Sequence, residues 1–406
     1  MTDAVIFDAV RTPRGKGTKR GRLSNVKPMD LLLPLYHALV DRNNLKNVQI
    51  DDVILGCVSA VGEQGANIAK ISALYAGWND RIPGMTINRF CTSGLEACNL
   101  AALKVWSGGE ELIVAGGVES MSRVPMGEDR GSWLSDSEVM KKVRAVHMGI
   151  SADLIATIEG FRREDLDKFA YQSHLKAILA TQDFHFKKSL IPIVNNMGQT
   201  ILNYDELIRF ETTLEKLRDL PPYFEALGSA GGDRIALSAY PQLKKINHLH
   251  HVGNSPGIAD GAALVLIGSE IKGKSIGLRA RAKIVSFGVA SVDPVTMLTG
   301  STDAARKALK KAGLSVSDID LFEINESFSA PVLKFQRDLD VPIEKLNVNG
   351  GAIALGHPLG ATGAVLLGTL LDELERRELR FGLVAMCGGA GLGVATILDR
   401  ELRASS

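Results

Sequence analysis

The sequence predicts an α/β protein made of two similar halves. A helix-rich segment is predicted to be inserted within the first half, after one of its strands. Three observations predict this class. Apolar strand-like runs alternate with helix-like stretches. The pattern of the first part of the chain recurs near its end, and about 130 residues of different texture interrupt the recurrence. Such alternation predicts mixed or parallel sheets covered by helices.

The repeat is defined by three landmarks that occur in the same order in both halves. The matched pairs are Asp52 with Asp318, Gly94 with Gly363, and Gly116 with Gly388. Their offsets are 266, 269 and 272 residues, so the register drifts by only 6 residues. If the halves pack about a pseudo-twofold axis, the helix starts near the second pair are expected to face each other.

The interruption sets the expected domain boundaries. We expect an N-terminal half in residues 1–120 plus 251–271, an inserted loop domain in 121–250 and a C-terminal half in 272–406. Within the insertion, "ISADLIATIEGF", "RREDLDKFAYQSHLKAILATQDF" and "DELIRFETTLEKLRDL" predict helices. "SLIPIV" and "GQTILN" predict short strands, and "GSAGGDRIALSAYPQ" predicts an exposed loop.

Composition excludes several classes of function. A net charge of +1 and 5% aromatic residues argue against nucleic acid or an anionic membrane as a partner. No apolar run reaches the roughly 18 residues that span a bilayer, and the N-terminal stretch lacks the features of a signal peptide. The C-terminal "RASS" is not a peroxisomal address, so the expected localisation is cytoplasmic.

Cys91 is the first candidate for a catalytic residue. It lies between an apolar strand and a small-residue helix, and a helix N-terminus favours an anion and lowers the pKa of a thiol. The pattern therefore indicates a nucleophile, with a small buried residue at a strand end as the alternative. Cys57 and Cys98 lack this setting and are expected to be packing residues. No two of the four cysteines form a CxxC motif, and a disulfide framework is not expected.

His357 lies in the glycine-rich loop "NVNGGAIALGHPLGATGA", where Pro358 restricts its backbone to extended geometry. The repeat aligns this loop with the helix start that Cys91 occupies, so the histidine is expected near that thiol. Asn325 and Glu326 end a predicted strand, where either site residues or an Asx turn are typical. Cys387 precedes two glycines, and its pattern alone fits a tight turn or a functional thiol equally well.

Metal and nucleotide sites are not expected. The run "NHLHH" has no carboxylate or cysteine beside it in the sequence. No stretch matches a Walker A loop or a GxGxxG motif between a strand and a helix.

Taken together, six motifs resemble those of the thiolase family. In chain order they are "NRFCTSGLEA", "VAGGVESMS", "GNSPGIADGAA", "EINESFSAP", "NVNGGAIALGHPLGATGA" and "VAMCGGAGLG". The resemblance spans almost the whole chain. It implies the five-layered α-β-α-β-α thiolase fold, a homodimer or homotetramer, acyl-CoA and coenzyme A as substrates, and no cofactor.

The resemblance also implies roles for individual residues. Cys91 would be the acylated nucleophile, His357 its base, and Cys387 the proton donor and acceptor at the substrate α-carbon. The N–H groups of Cys91 and Gly389 would form one oxyanion hole, and Asn325, through a water, would form the other with His357. The residues implied to bind substrate are Met148, Ser255 and Phe328.

The chain departs from common thiolase motifs at several positions. Pro256 stands in "GNSPG" where many members have a small or hydroxyl residue, Pro221 stands where "LRPAF" has arginine, and Ser327 stands where "NEAFA" has alanine. Pro256 and the long loop before His251 favour thiolytic cleavage of 3-ketoacyl-CoA in fatty-acid β-oxidation, with condensation of two acetyl-CoA as the alternative. Two other functions are disfavoured. A ketoacyl synthase typically uses two histidines and no second cysteine, so Cys387 argues against it. A non-catalytic scaffold would be expected to lack Cys91, His357 or Cys387, and all three are present.

Overall fold

The structure is a computed structural model that describes residues 2–45 and 50–401. The C-terminal "RASS" lies outside these ranges. The strands are β1 (Ala4–Arg11), β2 (Gly15–Lys16), β3 (Asp52–Gly56), β4 (Met85–Ile87), β5 (Leu112–Ser120), β6 (Ile193–Val194), β7 (Thr200–Leu202), β8 (Ala259–Ser269), β9 (Ala282–Ser291), β10 (Leu321–Ile324), β11 (Phe381–Gly388) and β12 (Leu392–Asp399). The helices are α1 (Pro28–Asn43), α2 (Ile68–Tyr75), α3 (Ser93–Trp106), α4 (Ser132–Ser135), α5 (Ser137–Lys142), α6 (Met148–Glu159), α7 (Arg163–Gln182), α8 (Leu214–Arg218), α9 (Glu225–Leu227), α10 (Asp233–Ala239), α11 (Glu270–Ser275), α12 (Gly300–Ala312), α13 (Ser329–Asp338), α14 (Ala352–Leu355) and α15 (Thr362–Arg376).

The main sheet has the strand order β10-β11-β12-β9-β1-β8-β5-β3-β4, with β2 also paired to β8. Apart from the edge strand β4, this order is symmetric about the short β1–β9 contact, in which Val5 pairs with Lys283 and Ile6 with Ala282. On one side β5 is parallel to β3 and antiparallel to β8. On the other side β11 is parallel to β10 and antiparallel to β12. The predicted two similar halves are confirmed.

Helices α3 and α15 pack against each other between the two halves of the sheet, within one apolar core. A Cβ atom on Gly363 would lie 2.1 Å from the Leu95 nitrogen, and one on Gly94 would lie 2.6 Å from the Gly360 carbonyl oxygen. Glycine is therefore needed for this close approach, and these are the two glycines that the sequence repeat matched. Since α1 and α2 cover one outer face and α12 and α13 the other, the five-layered α-β-α-β-α fold is confirmed.

The segment between β5 and β8 contains α4–α10 and the hairpin β6–β7. The structure confirms α6, α7 and both short strands as predicted. The helix predicted over 205–220 is wrong except for α8, because Asp205 instead joins a buried ion pair with Arg11 (2.8 Å) and Arg14 (3.2 Å). The exposed loop predicted over 228–242 is also largely wrong, since it forms a π-helical turn followed by α10.

The assignment of residues 121–250 to a separate loop domain stays a prediction. Backbone hydrogen bonds tie this segment to the N-terminal half, since Arg11 bonds Ser189 and Ile191. In the described ranges, the helices are too short or too polar for any of them to cross a membrane.

Candidate active site

A cavity of about 690 Å³ brings together three candidate residues that are far apart in the sequence, namely Cys91, His357 and Cys387. Its volume is in the range of sites for small-molecule ligands. The predicted proximity of His357 to Cys91 across the two halves is thus supported by the fold. Four further candidates also line the cavity: Met148, Ser255, Phe328 and Gly389. Asn325 is buried and precedes by two residues Ser327, which lines the cavity.

Cys91 lies two residues before the first residue of α3 and follows Phe90, whose φ angle is 48°. A bulky residue in this left-handed region is strained and is held by its surroundings. Ser93 holds it here, because its hydroxyl donates to the Phe90 carbonyl (2.6 Å) and accepts from the Arg89 N–H (2.8 Å). The strained corner presents the partly exposed Cys91 side chain to the cavity.

The expected low pKa of Cys91 is wrong. Burial raises the pKa of this thiol to about 12, and the nearby Cys387 adds to the rise. Hydrogen bonds from the N–H groups of Cys91 and Gly389 to the sulfur lower the pKa, but by less. The thiol is therefore protonated at neutral pH and needs a base to become a nucleophile.

His357 has the geometry of a base. Thr362 donates its one hydroxyl proton to the Pro358 carbonyl oxygen (2.8 Å), so its oxygen accepts from the His357 Nδ1–H at 2.7 Å. This tautomer leaves a lone pair on Nε2, which has no hydrogen-bond partner among the described residues. Burial lowers the pKa of His357 to about 4, and the charge of Arg14 adds to this effect. The imidazole is therefore neutral at pH 7 and able to accept a proton.

Cys387 lies at the end of β11, opposite Gly393 of β12. The tight turn Gly389–Gly391 follows, and its central residue Ala390 has a φ of 57°. The tight turn that the two glycines after Cys387 indicated is therefore present in the backbone. The thiol also reaches the cavity, where the Ser327 hydroxyl lies 3.0 Å from its sulfur. Burial raises the pKa of Cys387 to about 11.

Two buried carboxylates hold the loops of the site. The sequence analysis missed Glu119, whereas it gave Glu326 as a residue at a strand end where either site residues or an Asx turn are typical. Glu119, at the end of β5, accepts from the N–H groups of Val58, Ser59 and Gly360. It thereby ties the loop after His357 to the N-terminal half. The "VAGGVES" motif contained this residue, but nothing in its spacing indicated a partner 241 residues away.

Glu326 holds a second loop, since it accepts from Ser173, the Asn347 side chain and the Ile353 N–H. The preceding residue of the motif, Asn325, lacks such side-chain hydrogen bonds among the described residues. Both the nitrogen and the oxygen of the Asn325 amide are buried without a protein partner in the described ranges. This amide therefore has free hydrogen-bonding capacity for a buried water.

The histidines of "NHLHH" are bound to carboxylates that the sequence places about 90 residues away. His248 and His250 contact Asp153 at 2.9 and 2.7 Å, and His251 contacts Asp167 at 2.7 Å. Across the part of the chain that the structure describes, no group of three or more His, Cys, Asp or Glu side chains is placed to hold a metal ion.

Comparisons with known proteins agree with this geometry. The family model for the thiolase N-terminal domain matches residues 4–233, and that for the thiolase C-terminal domain matches residues 278–400. The chain is 40% identical to a 3-ketoacyl-CoA thiolase of Salmonella typhimurium (strain LT2) and to the 3-ketoacyl-CoA thiolase FadA of Escherichia coli (strain K12), over 98% of this chain and 100% of each relative. The crystal structure of the Bacillus anthracis acetyl-CoA acetyltransferase superposes with a TM-score of 0.85 at 35% identity, covering 98% of this chain and 99% of that one.

Proposed function

This chain belongs to the thiolase family, an acyltransferase family, and from that premise we propose that it cleaves 3-ketoacyl-CoA by thiolysis in fatty-acid β-oxidation. The products are acetyl-CoA and a shortened acyl-CoA, and Cys91 carries the acyl group between the two half-reactions. The observation that carries the proposal is the shared cavity of two thiols and one imidazole whose Nε2 is free to accept a proton.

The first half-reaction begins with proton transfer from Cys91 to His357. The Cys91 sulfur attacks the C3 carbonyl, the bond between C2 and C3 breaks, and Cys387 gives its proton to C2 of the departing acetyl-CoA enolate. The proton on His357 then passes to the Cys387 thiolate, so both groups are neutral before the second half-reaction. In that half-reaction coenzyme A gives its thiol proton to His357 and attacks the acyl-Cys91 thioester, and the departing Cys91 thiolate takes the proton from His357, so every group returns to its starting state.

Two oxyanions develop in this sequence, one on each carbonyl. The N–H groups of Cys91 and Gly389 already converge on the Cys91 sulfur, which places them beside the carbonyl oxygen of an acyl group on that sulfur. The unpartnered Asn325 amide, through a water, together with His357, serves the enolate oxygen. Preorganised donors of this kind typically contribute ~10²–10³-fold to the rate.

The walls of the cavity suit an acyl chain and a coenzyme A tail. Met148, Phe224 and Phe328 supply apolar surface, and the Ser255 hydroxyl is buried without a protein partner among the described residues. Lys16 and Arg209 also line the cavity and supply positive charge for phosphate groups. We propose that these two cations take the role of the arginine that Pro221 replaces. Pro256 itself forms part of the cavity wall.

Condensation of two acetyl-CoA is the second candidate, because the Bacillus anthracis protein with the same fold is an acetyl-CoA acetyltransferase. Steady-state thiolysis of 3-ketoacyl-CoA across acyl chain lengths distinguishes the two. Our proposal predicts a higher kcat/KM for longer substrates than for acetoacetyl-CoA. A maximum at acetoacetyl-CoA would instead support the biosynthetic function.

Replacing Met148 by alanine is expected to shift the chain-length preference. Met148 begins α6 and lines the cavity, so the smaller side chain makes room for a longer acyl group. The ratio of kcat/KM for long over short substrates should rise about tenfold. The exposed Met197 (78%) provides a matched control, since Met197→Ala should leave the ratio unchanged. A uniformly lower rate with a constant ratio for Met148→Ala would count against its role.

Replacing Thr362 by valine is expected to slow acylation of Cys91 about tenfold, because the Nδ1–H of His357 loses its acceptor and the reactive tautomer loses its preference. Valine keeps the shape of threonine, and Thr369→Val, in the same helix and also buried, is the control. Rapid-quench measurement of Cys91 acetylation by acetyl-CoA tests this. Equal rates in both variants would show that Thr362 does not orient the base.

We also propose a homo-oligomer assembled through β4, which is an edge strand of the sheet. Met85 on β4 is an exposed apolar side chain. The adjacent helix α2 adds three more, namely Ile71, Leu74 and Tyr75. An exposed edge strand beside apolar surface favours pairing with a second copy. Two further expectations stay predictions. They are cytoplasmic localisation and activity without a cofactor, with coenzyme A acting as a substrate.

A further inference from the structure

The mechanism above leaves one contact in the cavity without a role. The Ser327 hydroxyl lies 3.0 Å from the Cys387 sulfur. Both residues line the cavity and are almost fully buried, with 8% and 3% exposure. Among the described residues, this sulfur is the only hydrogen-bond partner of the hydroxyl.

We propose that Ser327 is a positioning residue that makes Cys387 a stronger acid, and thereby speeds the carbon–carbon step in both directions. This inference rests on the proposed thiolase function. It concerns a position at which many thiolases have alanine, so it describes a property of this chain and not of the family motif.

The chemistry of a hydroxyl suits this role. It accepts a hydrogen bond from a neutral thiol and donates one to a thiolate, so the contact persists in both protonation states. A hydrogen bond to the charged form favours that form. Burial raises the pKa of Cys387, whereas the Ser327 hydroxyl lowers it. The thiolate is the product of Cys387 in cleavage and the base in condensation, so its stabilisation assists both reactions.

The loop that carries Ser327 is held independently of this contact. Backbone hydrogen bonds hold it on both sides of Ser327, since the Asn325 N–H donates to the Ala385 carbonyl (3.0 Å) and the Ser329 N–H donates to the Asn254 carbonyl (3.3 Å). Removing the Ser327 hydroxyl is therefore expected to leave the loop in place. Ser329→Ala is the matched control, because it removes a hydroxyl two residues away that does not contact the thiol.

The first measurement reports the acidity of Cys387 without requiring turnover. In a Cys91→Ala background, Cys387 is the cavity thiol, while Cys57 and Cys98 are fully buried. We expect Ser327→Ala to slow alkylation of Cys387 by iodoacetamide between pH 7 and pH 9, as read by peptide mass spectrometry. Loss of a hydrogen bond to a charged group reduces the thiolate fraction about ten- to a hundredfold. The greater nucleophilicity of a more basic thiolate offsets part of this, leaving a net decrease of about three- to tenfold.

The second measurement reports the chemistry with Cys91 present. Ser327→Ala should slow both thiolysis and acetoacetyl-CoA formation about tenfold, leave acetylation of Cys91 unchanged, and be rescued by Ser327→Thr. Alkylation no slower than in the Ser329→Ala control, or a carbon–carbon step no slower than in wild type, overturns the inference. If wild-type enzyme fails to cleave 3-ketoacyl-CoA, the proposed function fails, and the alkylation rates still decide whether Ser327 controls Cys387.

Discussion

Replacing Cys91 by serine is expected to lower kcat/KM for thiolysis by about 10⁴-fold or more, as removal of the nucleophile does in other acyl-transfer enzymes. A hydroxyl is a far weaker acid than a thiol, so the neutral His357 cannot activate it to a comparable extent. The change is nearly isosteric at a partly exposed position, so thermal unfolding should be almost unaffected. Steady-state thiolysis and a melting curve on the same preparation provide the test.

The matched control for this result is Cys98→Ala, which removes a thiol from α3 at a fully buried position. It should lower the melting temperature, because a buried side chain is truncated, and leave kcat/KM near the wild-type value. If Cys91→Ser retains near-normal thiolysis while Cys98→Ala abolishes it, the nucleophile has been assigned to the wrong cysteine.

Replacing Cys387 by serine is expected to separate the two half-reactions. Transfer of an acetyl group from acetyl-CoA to Cys91 needs only that thiol, His357 and the donors at Cys91 and Gly389, so the variant should still acetylate itself. Formation or cleavage of the carbon–carbon bond should fall ~10²–10⁴-fold, because a serine hydroxyl is too weak an acid and its alkoxide too costly to form. Because serine and cysteine have nearly the same size, the variant is expected to fold normally, and the loss of activity reports the missing thiol.

Burst labelling with radiolabelled acetyl-CoA, measured beside steady-state thiolysis, resolves the two steps of the Cys387→Ser enzyme. We expect a full burst with little turnover. Near-normal thiolysis would mean that Cys387 is only the small residue of the turn between β11 and β12. Loss of the burst together with turnover would mean that Cys387 acts in the acylation step as well.

The sequence repeat predicted the central packing of the fold because the physical requirement for glycine is local. Gly94 and Gly363 are matched in the repeat and meet in the structure, where neither position has room for a Cβ atom. The two helix starts therefore face each other, as predicted, and the loops before them bring Cys91 and His357 to one cavity. A duplicated pattern thus carried long-range information that single motifs do not.

The electrostatics of the site could not be predicted from local sequence. A helix start indicated a lowered pKa for Cys91, but its enclosure by residues from both halves and the insertion raises the pKa instead. Other groups that set the electrostatics are also known only from contacts in the structure. They are Thr362, which accepts from the His357 Nδ1–H, the Glu119 carboxylate, and the aspartates that bind the histidines of "NHLHH". Burial and hydrogen bonds between residues far apart in the sequence determine the protonation states, and neither has a signature in a linear motif.

The central claim is that the acyl group passes through Cys91. Enzyme mixed with 3-ketohexanoyl-CoA in the absence of free coenzyme A, then quenched, digested and analysed by mass spectrometry, tests it directly. The proposed mechanism predicts a butyryl group on the peptide that contains Cys91, with one acetyl-CoA released for each group bound. An adduct found only on Cys57, Cys98 or Cys387, or release of acetyl-CoA without any adduct, would contradict it.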